Sequence, residues 1–296
     1  GILPHKRFGR RAMNRTIVDT AKAYRPHLIL FGHVDMTGVE TLEAVRKAAP
    51  DARLAQLHVD AVFRLKAMSQ FNARAAQMHA SFITTGAPEK LAELGCGPGT
   101  VAFCPNPVDP SLAHTDVSAT PRDALAYDGI FLGNGHERRE PQVRGLQGGL
   151  APDFRFFVGG QIFGTPRLSG PEFLETIASA GMSPNLPLDD TRPVDFLYSS
   201  SRIAQLLGLG VVALCQLNAR LDQIYEDGIV NYTTIEDLAE KMNALREDDA
   251  ERRRIGAIGR RIGRERTGNG RVARYLWDMT VEGKPSEDYG WPATLW

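Results

Sequence analysis

The sequence predicts an α/β protein with two domains in series. Amphipathic helical patterns alternate along the 296 residues with short β-branched or aromatic runs, a pattern typical of βαβ units and parallel sheets. A chain of this length is long for one domain and suits two. The segment VDPSLAHTDVSATPRD (108–123) is polar, rich in turn residues and without periodicity, and it predicts the linker between them.

The first half of the chain alternates in this way from residue 14 onward. The expected helices are 14–24 and 38–49, and the expected strands are 27–33, 53–59, 81–86 and 100–107. Each expected strand is a short run bounded by polar or turn residues. Residues 1–115 are therefore expected to form an N-terminal Rossmann-like domain.

The second half repeats the alternation after the linker. The expected strands are 129–134, 154–160, 211–215 and 228–233, and the expected helices are 141–148, 170–181, a helix opening at the serines 199–201, and a long helical region from 235 to about 266. The strand before the serines is either MSPNL or VDFLY. Residues 116–270 are expected to form a second doubly wound domain, with a cleft between the carboxyl ends of both sheets where chemistry takes place.

Composition argues against several classes of function. Lys+Arg and Asp+Glu are balanced at 35 each, so no net charge attracts nucleic acid. The longest apolar run, 206–215, contains two glycines and is far shorter than the roughly 20 residues that span a bilayer. Three cysteines without metal-ligand spacing favour a reducing, cytoplasmic setting. The chain has no Asp-x-Asp pair and its histidines are scattered, so we expect no metal site.

The stretch SSSRIAQLLGLGVVAL (199–214) places three serines and an arginine where a strand gives way to a helix. The first turn of a helix has amides without intrahelical partners and a partial positive charge, and hydroxyls beside Arg202 add donors that suit phosphate oxygens. The alternative is a serine N-cap with a solvated arginine. Gly208 is the expected C-cap, with Gly210 in the next turn.

A second strand-to-helix connection, GIFLGNGHERREPQVRGL (129–146), adds cationic side chains. A Gly-Asn-Gly turn is followed by His136, Arg138 and Arg139 near a helix start with a proline in its first turn. Arginine binds phosphate bidentately and would stabilise a departing diphosphate. The alternative is a loop with solvated arginines.

The order of these elements resembles a known family. PNLPLDDTRPVDFLYSSSRIAQLLGLGVVAL and the later LDQIYEDGIVNYTTIEDLAEKMNALREDDAERRRIGAIGRRI look like the C-terminal half of GT-B glycosyltransferases of the glycosyl-transferase group 1-like, spore-maturation-protein-type family. YRPHLILFGHVD, LHVDAVF and CPNPVDPSL resemble the N-terminal half of the same proteins. The resemblance implies two Rossmann-like domains facing a central cleft, with the tail 271–296 packing back on the first.

The resemblance also implies an activity and its partners. It implies metal-independent transfer of a sugar from a nucleotide-sugar donor, a nucleoside diphosphate or monophosphate sugar, to a glycan, lipid-linked, protein or other hydroxyl acceptor, with no further cofactor. The donor-binding residues carried over are Gly133, Asn134, Gly135, His136, Arg138, Ser199, Ser200, Ser201, Arg202 and Gln205. Gln205 stands where many relatives have a glutamate, and it offers one acceptor oxygen. Residues 1–14 supply no opening strand, so the first domain is expected to be reduced or to lack its natural beginning.

An inverting transfer needs a general base, and two residues at predicted carboxyl edges are candidates. His33 ends the run HLILFGH, and Asp60 follows RLAQLHV. Each also has a structural interpretation, a turn histidine and a helix N-cap. A nucleotide-sugar epimerase of the same fold, or a non-catalytic protein that binds a sugar nucleotide or a partner, are the alternatives.

The segment ERRRIGAIGRRIGRER (251–266) contains seven arginines and two stripes at helical spacing. Isoleucines 255, 258 and 262 form an apolar stripe, and glycines 256, 259 and 263 form a small-residue stripe that would allow close helix contact. We expect a docked helix with a solvated basic face. The sharper hypothesis is peripheral association with anionic lipid at the inner membrane face.

Overall fold

A computed structural model describes residues 5–32, 36–63, 65–93, 95, 101–112, 115–135, 138–188 and 191–292. The chain divides into two compact units, Gly1–Pro105 with Ala273–Trp296, and Asn106–Val272. Parallel sheets of four and five strands confirm the predicted α/β class. The boundary expected at 115/116 falls inside the second unit.

The first unit contains a four-stranded parallel sheet whose spatial order is the chain order. Its strands are β1 Leu28–Gly32, β2 Arg53–His58, β3 Ala80–Ile83 and β4 Val101–Phe103. Its helices are α1 His5–Tyr24, α2 Val39–Ala48, α3 Leu65–Ala75 and α4 Pro88–Glu93. Helix α1 begins nine residues before the expected position 14, and α3 was not expected, because its buried face is only Met68, Phe71 and Arg74.

An aromatic cluster in the first unit anchors the C-terminal segment. The Tyr275 ring lies 5.7 Å from Phe82 on β3, 4.9 Å from Tyr289 and 5.5 Å from Trp291. The buried Asp278 carboxylate accepts hydrogen bonds from the Tyr289 hydroxyl at 2.7 Å and from the backbone amide of Ser286 at 2.9 Å. The segment after α11 is therefore held by packing and by charge-assisted hydrogen bonds.

The second unit contains a five-stranded parallel sheet in the order β6-β5-β7-β8-β9. Its strands are β5 Tyr127–Leu132, β6 Phe156–Gly159, β7 Ala180–Pro184, β8 Val212–Gln216 and β9 Ile229–Tyr232. Its helices are α5 Arg139–Gly149, α6 Gly170–Ala178, α7 Ser201–Leu209, α8 Asp222–Tyr225, α9 Ile235–Glu247 and α10 Asp249–Thr267, and α11 Asn269–Trp277 follows. Strand order reverses between β5 and β7, which creates a topological switch point.

Several boundaries in the second unit differ from the sequence-based expectation. Of the two candidate strands before the serines, MSPNL is confirmed in part as β7, whereas 194–198 contains no strand. Helix α6 ends at Ala178 rather than 181, because Ala180 already pairs with β5. The segment 108–123 is not a free linker: it forms short 3-10 turns, and Val108 donates a backbone hydrogen bond to Thr267 at 2.7 Å.

Helix α10 packs closely on the rest of the second unit through its glycines. A Cβ at Gly256 would lie 2.5 Å from the Gly210 carbonyl oxygen, and one at Gly263 would lie 3.1 Å from the Leu207 side chain. Gly259 is seated in the same way against Gly228. The predicted small-residue stripe is confirmed as a close contact of α10 with its surroundings.

Several arginines of α10 hydrogen-bond to protein groups, although the sequence predicted that this face is solvated. Arg252 is buried and donates to Asp249 and to the Thr120 carbonyl oxygen, each at 2.7 Å. Arg253 donates to the Ser118 carbonyl oxygen at 3.1 Å. The exposed Arg254 and Arg261 pair with glutamates on the same helix. Arg253, Arg254 and Arg261 are exposed, as expected of a solvated basic face, whereas Arg252 is buried and departs from that expectation. Among the described residues, no helix is both long and apolar enough to cross a membrane.

A buried carboxylate fixes the start of β5. Asp128 accepts hydrogen bonds from Arg122 Nε at 2.8 Å, from Arg155 Nη2 at 2.7 Å and from the Arg155 amide at 2.9 Å. Burial of Asp128 opposes ionisation, but these hydrogen bonds outweigh it and lower the pKa of the carboxyl to about 2. The strand that leads to the switch point is thus anchored by an ion-pair network.

Substituting Gly256 with alanine tests the α10 contact. We expect Gly256→Ala to lower the free energy of unfolding by about 1–3 kcal/mol, because the Gly210 backbone cannot move aside as a flexible side chain would. Gly148→Ala is the control: Gly148 lies in α5 with no described atom near its added Cβ, and we expect a gain of about 0.5–1 kcal/mol. Urea unfolding followed by circular dichroism gives both values. Equal effects in the two variants would contradict the contact.

Asp128 predicts a specific acid sensitivity. Because its folded pKa lies below the unfolded value near 4, its contribution of about 2 kcal/mol is present above pH 4 and is lost as the pH falls toward 2. The stability difference between wild type and Asp128→Asn should shrink over that window in urea titrations. Asp123→Asn, at an exposed aspartate of the neighbouring turn, should show no such change. A difference independent of pH between 5 and 2 would refute this account.

Candidate functional site

Two helices begin at the switch point of the second unit. Helix α5 follows β5 and starts at Arg139, and helix α7 follows β7 and starts at Ser201. Ligands of open parallel sheets bind at the carboxyl ends of strands at such a reversal, and helix starts there favour anions. The candidate site is therefore the group of residues at the ends of β5 and β7.

The start of α7 is not an ordinary serine cap. Ser200 occupies the N-cap position, but its side chain makes no capping hydrogen bond and donates instead to Asn185 Oδ1 at 3.0 Å. At the other end, Gly210 is the C-cap, with φ of 74°, so the expectation of Gly208 in that role is wrong. Gly208 lies inside the helix.

Asn185 connects the end of β7 to the start of α7, and sequence reasoning did not single it out. Its Oδ1 accepts from Ser200 and also from Arg202 Nη1 at 3.1 Å. Its backbone amide donates to the Leu214 carbonyl at 2.7 Å, and its own carbonyl accepts from the Tyr232 hydroxyl at 3.4 Å. Two donors on Oδ1 fix the amide orientation, so Nδ2 is the atom left to donate to a ligand.

Arg202 connects the two strands at the switch point, because it hydrogen-bonds to groups at the ends of both β5 and β7. Its Nη2 donates to the Leu132 carbonyl at the end of β5 at 3.0 Å, and its guanidinium carbon lies 4.9 Å from the centre of the Phe131 ring. Burial, followed by the nearby charge of Arg139, lowers the pKa of Arg202 to about 10. The guanidinium is thus held in place by two carbonyl-type acceptors and an aromatic ring.

Arg139 brings a second guanidinium to the same ring. It is 8% exposed, its guanidinium carbon lies 5.7 Å from the Phe131 centroid, and it donates only long hydrogen bonds, to the Asn134 carbonyl at 3.4 Å and the Leu186 carbonyl at 3.5 Å. Its Nε is buried and has no hydrogen-bond partner within the described structure. Burial lowers the pKa of Arg139 as well.

The two guanidinium groups share one electrostatic property. Among the described residues, no carboxylate lies within ion-pair distance of Arg139 or Arg202. Burying a cation without a counter-charge is costly, and the nearby charge of Arg139 adds repulsion at Arg202. An anion bound at these guanidinium groups would offset both effects, so the arrangement fits a phosphate or diphosphate.

The turn after β5 approaches the segment after β6 closely. A Cβ at Gly135 would lie 2.5 Å from the Gln161 carbonyl oxygen, so only glycine fits there. In the facing segment, Gly160, Gln161, Phe163 and Gly164 all have positive φ, between 52° and 92°. Glu140 accepts from the Phe163 amide at 3.0 Å and so ties this strained segment to α5.

The other predicted donor-binding residues differ in burial and in hydrogen-bond partners. Ser199 is fully buried, and its hydroxyl accepts from the Asn106 amide at 3.2 Å. Arg138 donates to the Thr191 hydroxyl at 3.2 Å, and it is the next residue, Arg139, that turns inward. Ser201 is exposed at the first position of α7, and Gln205 is half-buried one turn later. His136 lies outside the described residues.

Polar groups also gather at the carboxyl ends of β2 and β3 in the first unit. His58, the last residue of β2, is buried with its ring 5.5 Å from Phe71. Thr84 and Thr85 follow β3 with buried hydroxyls that have no hydrogen-bond partner within the described structure. Asp60 is half-buried two residues after His58. The other candidate base, His33, lies outside the described residues.

No cluster of three or more His, Cys, Asp or Glu side chains suited to a metal ion occurs within the part of the chain that the structure describes.

Comparison with protein families identifies the second unit. A family model described as glycosyl transferase-like matches residues 139–277, which start at Arg139 and include every helix from α5 to α11. No curated protein matches the sequence significantly.

Solved structures share the fold over most of the chain. HepE of Anabaena, solved in complex with UDP-glucose, is 12% identical, and the match covers 89% of this chain and 81% of HepE with a TM-score of 0.61. Sucrose-phosphate synthase of Thermosynechococcus elongatus is 12% identical, with 92% and 79% covered and a TM-score of 0.61. A UDP-forming α,α-trehalose-phosphate synthase of Burkholderia xenovorans is 11% identical, with 96% and 81% covered and a TM-score of 0.59.

Identities this low establish the fold, and the family match establishes the enzyme class. The chain has the GT-B fold, its residues 139–277 match the glycosyl transferase-like family, and together these findings support a glycosyltransferase of the GT-B type.

Proposed function

We propose that this enzyme transfers a sugar from a nucleoside diphosphate sugar to a hydroxyl acceptor, and that Arg139 and Arg202 hold the diphosphate. One observation carries the proposal: the guanidinium groups of the buried Arg139 and the half-buried Arg202 lie beside one aromatic ring, with no carboxylate partner among the described residues. The family match of the second unit supports a glycosyl donor as the source of that diphosphate. The amides that begin α5 and α7 add partial positive charge at the same edge of the sheet.

The reaction breaks the bond between the anomeric carbon and the diphosphate oxygen. The nucleoside diphosphate leaves with the electron pair, the acceptor oxygen forms the new bond to the anomeric carbon, and its proton passes to a base. Negative charge therefore grows on the diphosphate as the bond breaks. Fixed cations in a site of low dielectric stabilise that charge without reorganising, which lowers the barrier.

A uridine diphosphate sugar is the first donor to test. HepE, which has the same fold, was solved in complex with UDP-glucose. Gln205, half-buried on α7, provides a carboxamide in place of the glutamate expected from the resemblance, so it offers one acceptor oxygen where a carboxylate offers two, and its amide nitrogen donates. The Ser200 hydroxyl already donates to Asn185 Oδ1. Ser201 and Asn185 Nδ2 are therefore proposed as the donors toward phosphate or sugar oxygens.

Asp60 is proposed as the general base in the first unit, and His33 keeps the same role as a prediction from sequence. His58, the buried last residue of β2, is a further candidate because an imidazole side chain at this strand end can act as a general base. The acceptor is proposed to be a glycan, lipid-linked or protein hydroxyl group. Membrane association is not part of the proposal, because the outermost arginines of α10 are paired with glutamates.

Binding of UDP, GDP, CMP, dTDP and UDP-glucose to the intact chain tests the diphosphate site. We expect one nucleoside diphosphate to bind more tightly than its monophosphate, and Arg139→Ala or Arg202→Ala to weaken that diphosphate by tenfold or more, since a charged hydrogen bond contributes about 1.5–3 kcal/mol. Titration calorimetry measures each affinity. Arg220→Ala, at an exposed arginine paired with Asp222, is the matched control and should change nothing.

Three results would count against the proposal. Equal diphosphate affinity in Arg139→Ala and Arg220→Ala would remove the guanidinium pair from donor binding. No binding of any nucleotide by the wild-type chain would favour a protein without transferase activity. Formation of an epimeric sugar nucleotide without any acceptor would favour the epimerase.

Replacing Asp60 tests the base. We expect Asp60→Asn to reduce the rate of transfer by a factor of about 10²–10⁴, the usual contribution of a positioned base, while donor affinity stays unchanged. Asp51→Asn, at an exposed aspartate of the same unit, should keep full activity. Donor consumption and product formation are followed by chromatography. Full activity in Asp60→Asn would transfer the role to His33 or His58, each testable by substitution with Gln.

A further inference from the structure

Asn185 is held at the end of β7 by both of its backbone polar groups. Its amide donates to the Leu214 carbonyl oxygen at 2.7 Å, and its carbonyl oxygen accepts from the Tyr232 hydroxyl at 3.4 Å. These contacts connect the residue to β8 and β9, so its backbone position is fixed by the sheet. The direction of its side chain toward α7 is therefore set independently of any ligand.

The carboxamide oxygen of Asn185 connects two side chains of the α7 start. It accepts from the Ser200 hydroxyl at 3.0 Å and from Arg202 Nη1 at 3.1 Å. A carboxamide oxygen has two lone pairs, so both acceptor positions of Oδ1 are in use. The Leu132 carbonyl oxygen accepts from Arg202 Nη2 at 3.0 Å. These two acceptors together fix the plane of the guanidinium group.

Both of these acceptors are uncharged. An aspartate at position 185 would have the shape of asparagine and an oxygen in the same place, so it could accept the same two hydrogen bonds. Its bond to the guanidinium group would also be stronger, since charge-assisted hydrogen bonds are roughly twice as strong as neutral ones. The stability of the unliganded fold therefore favours aspartate, whereas asparagine holds Arg202 without supplying a counter-charge.

The neutral acceptor has a consequence for a bound anion. Burial, and then the nearby charge of Arg139, lower the pKa of Arg202 to about 10, so the two cations repel each other. A carboxylate at position 185 would relieve that repulsion in the free enzyme and would repel a diphosphate bound at the same place. We propose that Asn185 is a positioning residue whose carboxamide orients Arg202 while leaving its positive charge for the diphosphate of the donor. This inference rests on the proposed function, and it makes the neutrality of position 185 a determinant of donor binding.

Three substitutions in the full chain test this role. They are Asn185→Asp, Asn185→Ala and the control Asn218→Asp, which makes the same charge change at an exposed asparagine of the second unit. Titration calorimetry with UDP and with inorganic pyrophosphate measures affinity, and thermal unfolding followed by circular dichroism measures stability. We expect Asn185→Asp to weaken both ligands tenfold or more while it raises the unfolding temperature by about 2–4 °C.

The other two variants give the comparison. Asn185→Ala should lower affinity and unfolding temperature together, because it removes an acceptor from Arg202 and from Ser200. Asn218→Asp should leave the affinity for both ligands within twofold of the wild type. A structural residue would change affinity and stability in the same direction in every variant, so the opposite changes in Asn185→Asp identify the electrostatic role.

The outcomes separate this inference from the proposed function. If the wild-type chain binds neither ligand, the proposed function fails and the inference fails with it. If Arg202→Ala weakens UDP binding but Asn185→Asp binds UDP as tightly as Asn218→Asp does, the proposed function stands and the role of Asn185 is overturned. Parallel losses of affinity and stability in Asn185→Asp would overturn it equally.

Discussion

The close approach of α10 to the backbone around it is the constraint on which the second unit depends. Three glycines let this helix rest against Gly210, Gly228 and α7 without intervening side chains. Because α7 is held at its C-terminal end in this way, its N-terminal end is fixed at the switch point, where Arg202 bridges to β5. The geometry of the proposed donor site is therefore set partly by residues far from it along the chain.

Charge is handled in two opposite ways within the same sheet. At the start of β5, Asp128 is surrounded by arginines that hydrogen-bond to it, so its charge is fully compensated. At the end of the same strand, the polar and aromatic partners of the buried Arg139 and the half-buried Arg202 are, within the described residues, carbonyl oxygens, an asparagine and a phenylalanine ring. The compensated charge of Asp128 anchors the strand. At Arg139 and Arg202, an anionic ligand would supply a counter-charge that the described residues do not provide.

Sequence reasoning predicted the two parallel sheets, because alternation of helical and extended patterns reports burial directly. It also predicted the glycine stripe of α10 and the placement of Arg202. It listed Arg138 among the expected donor-binding residues, whereas Arg139 is the one that is buried; adjacent residues at a helix start differ by about 100° in direction, and sequence does not say which one faces inward. Asn185 and the burial of Ser199 were missed for a similar reason, since their partners, Ser200, Arg202 and Asn106, come together only in the folded unit.

The aromatic cluster around Asp278 has a practical consequence for spectroscopy. Every tryptophan of the sequence lies beyond Val272, and the second unit contains none. Trp291 stacks within that cluster, and the Trp277 indole donates to Glu282 at 3.2 Å. Intrinsic tryptophan fluorescence will therefore report the melting of the first unit alone. It will not report ligand binding at Arg139 and Arg202. A single tryptophan introduced into the second unit would give each half of the enzyme its own optical signal.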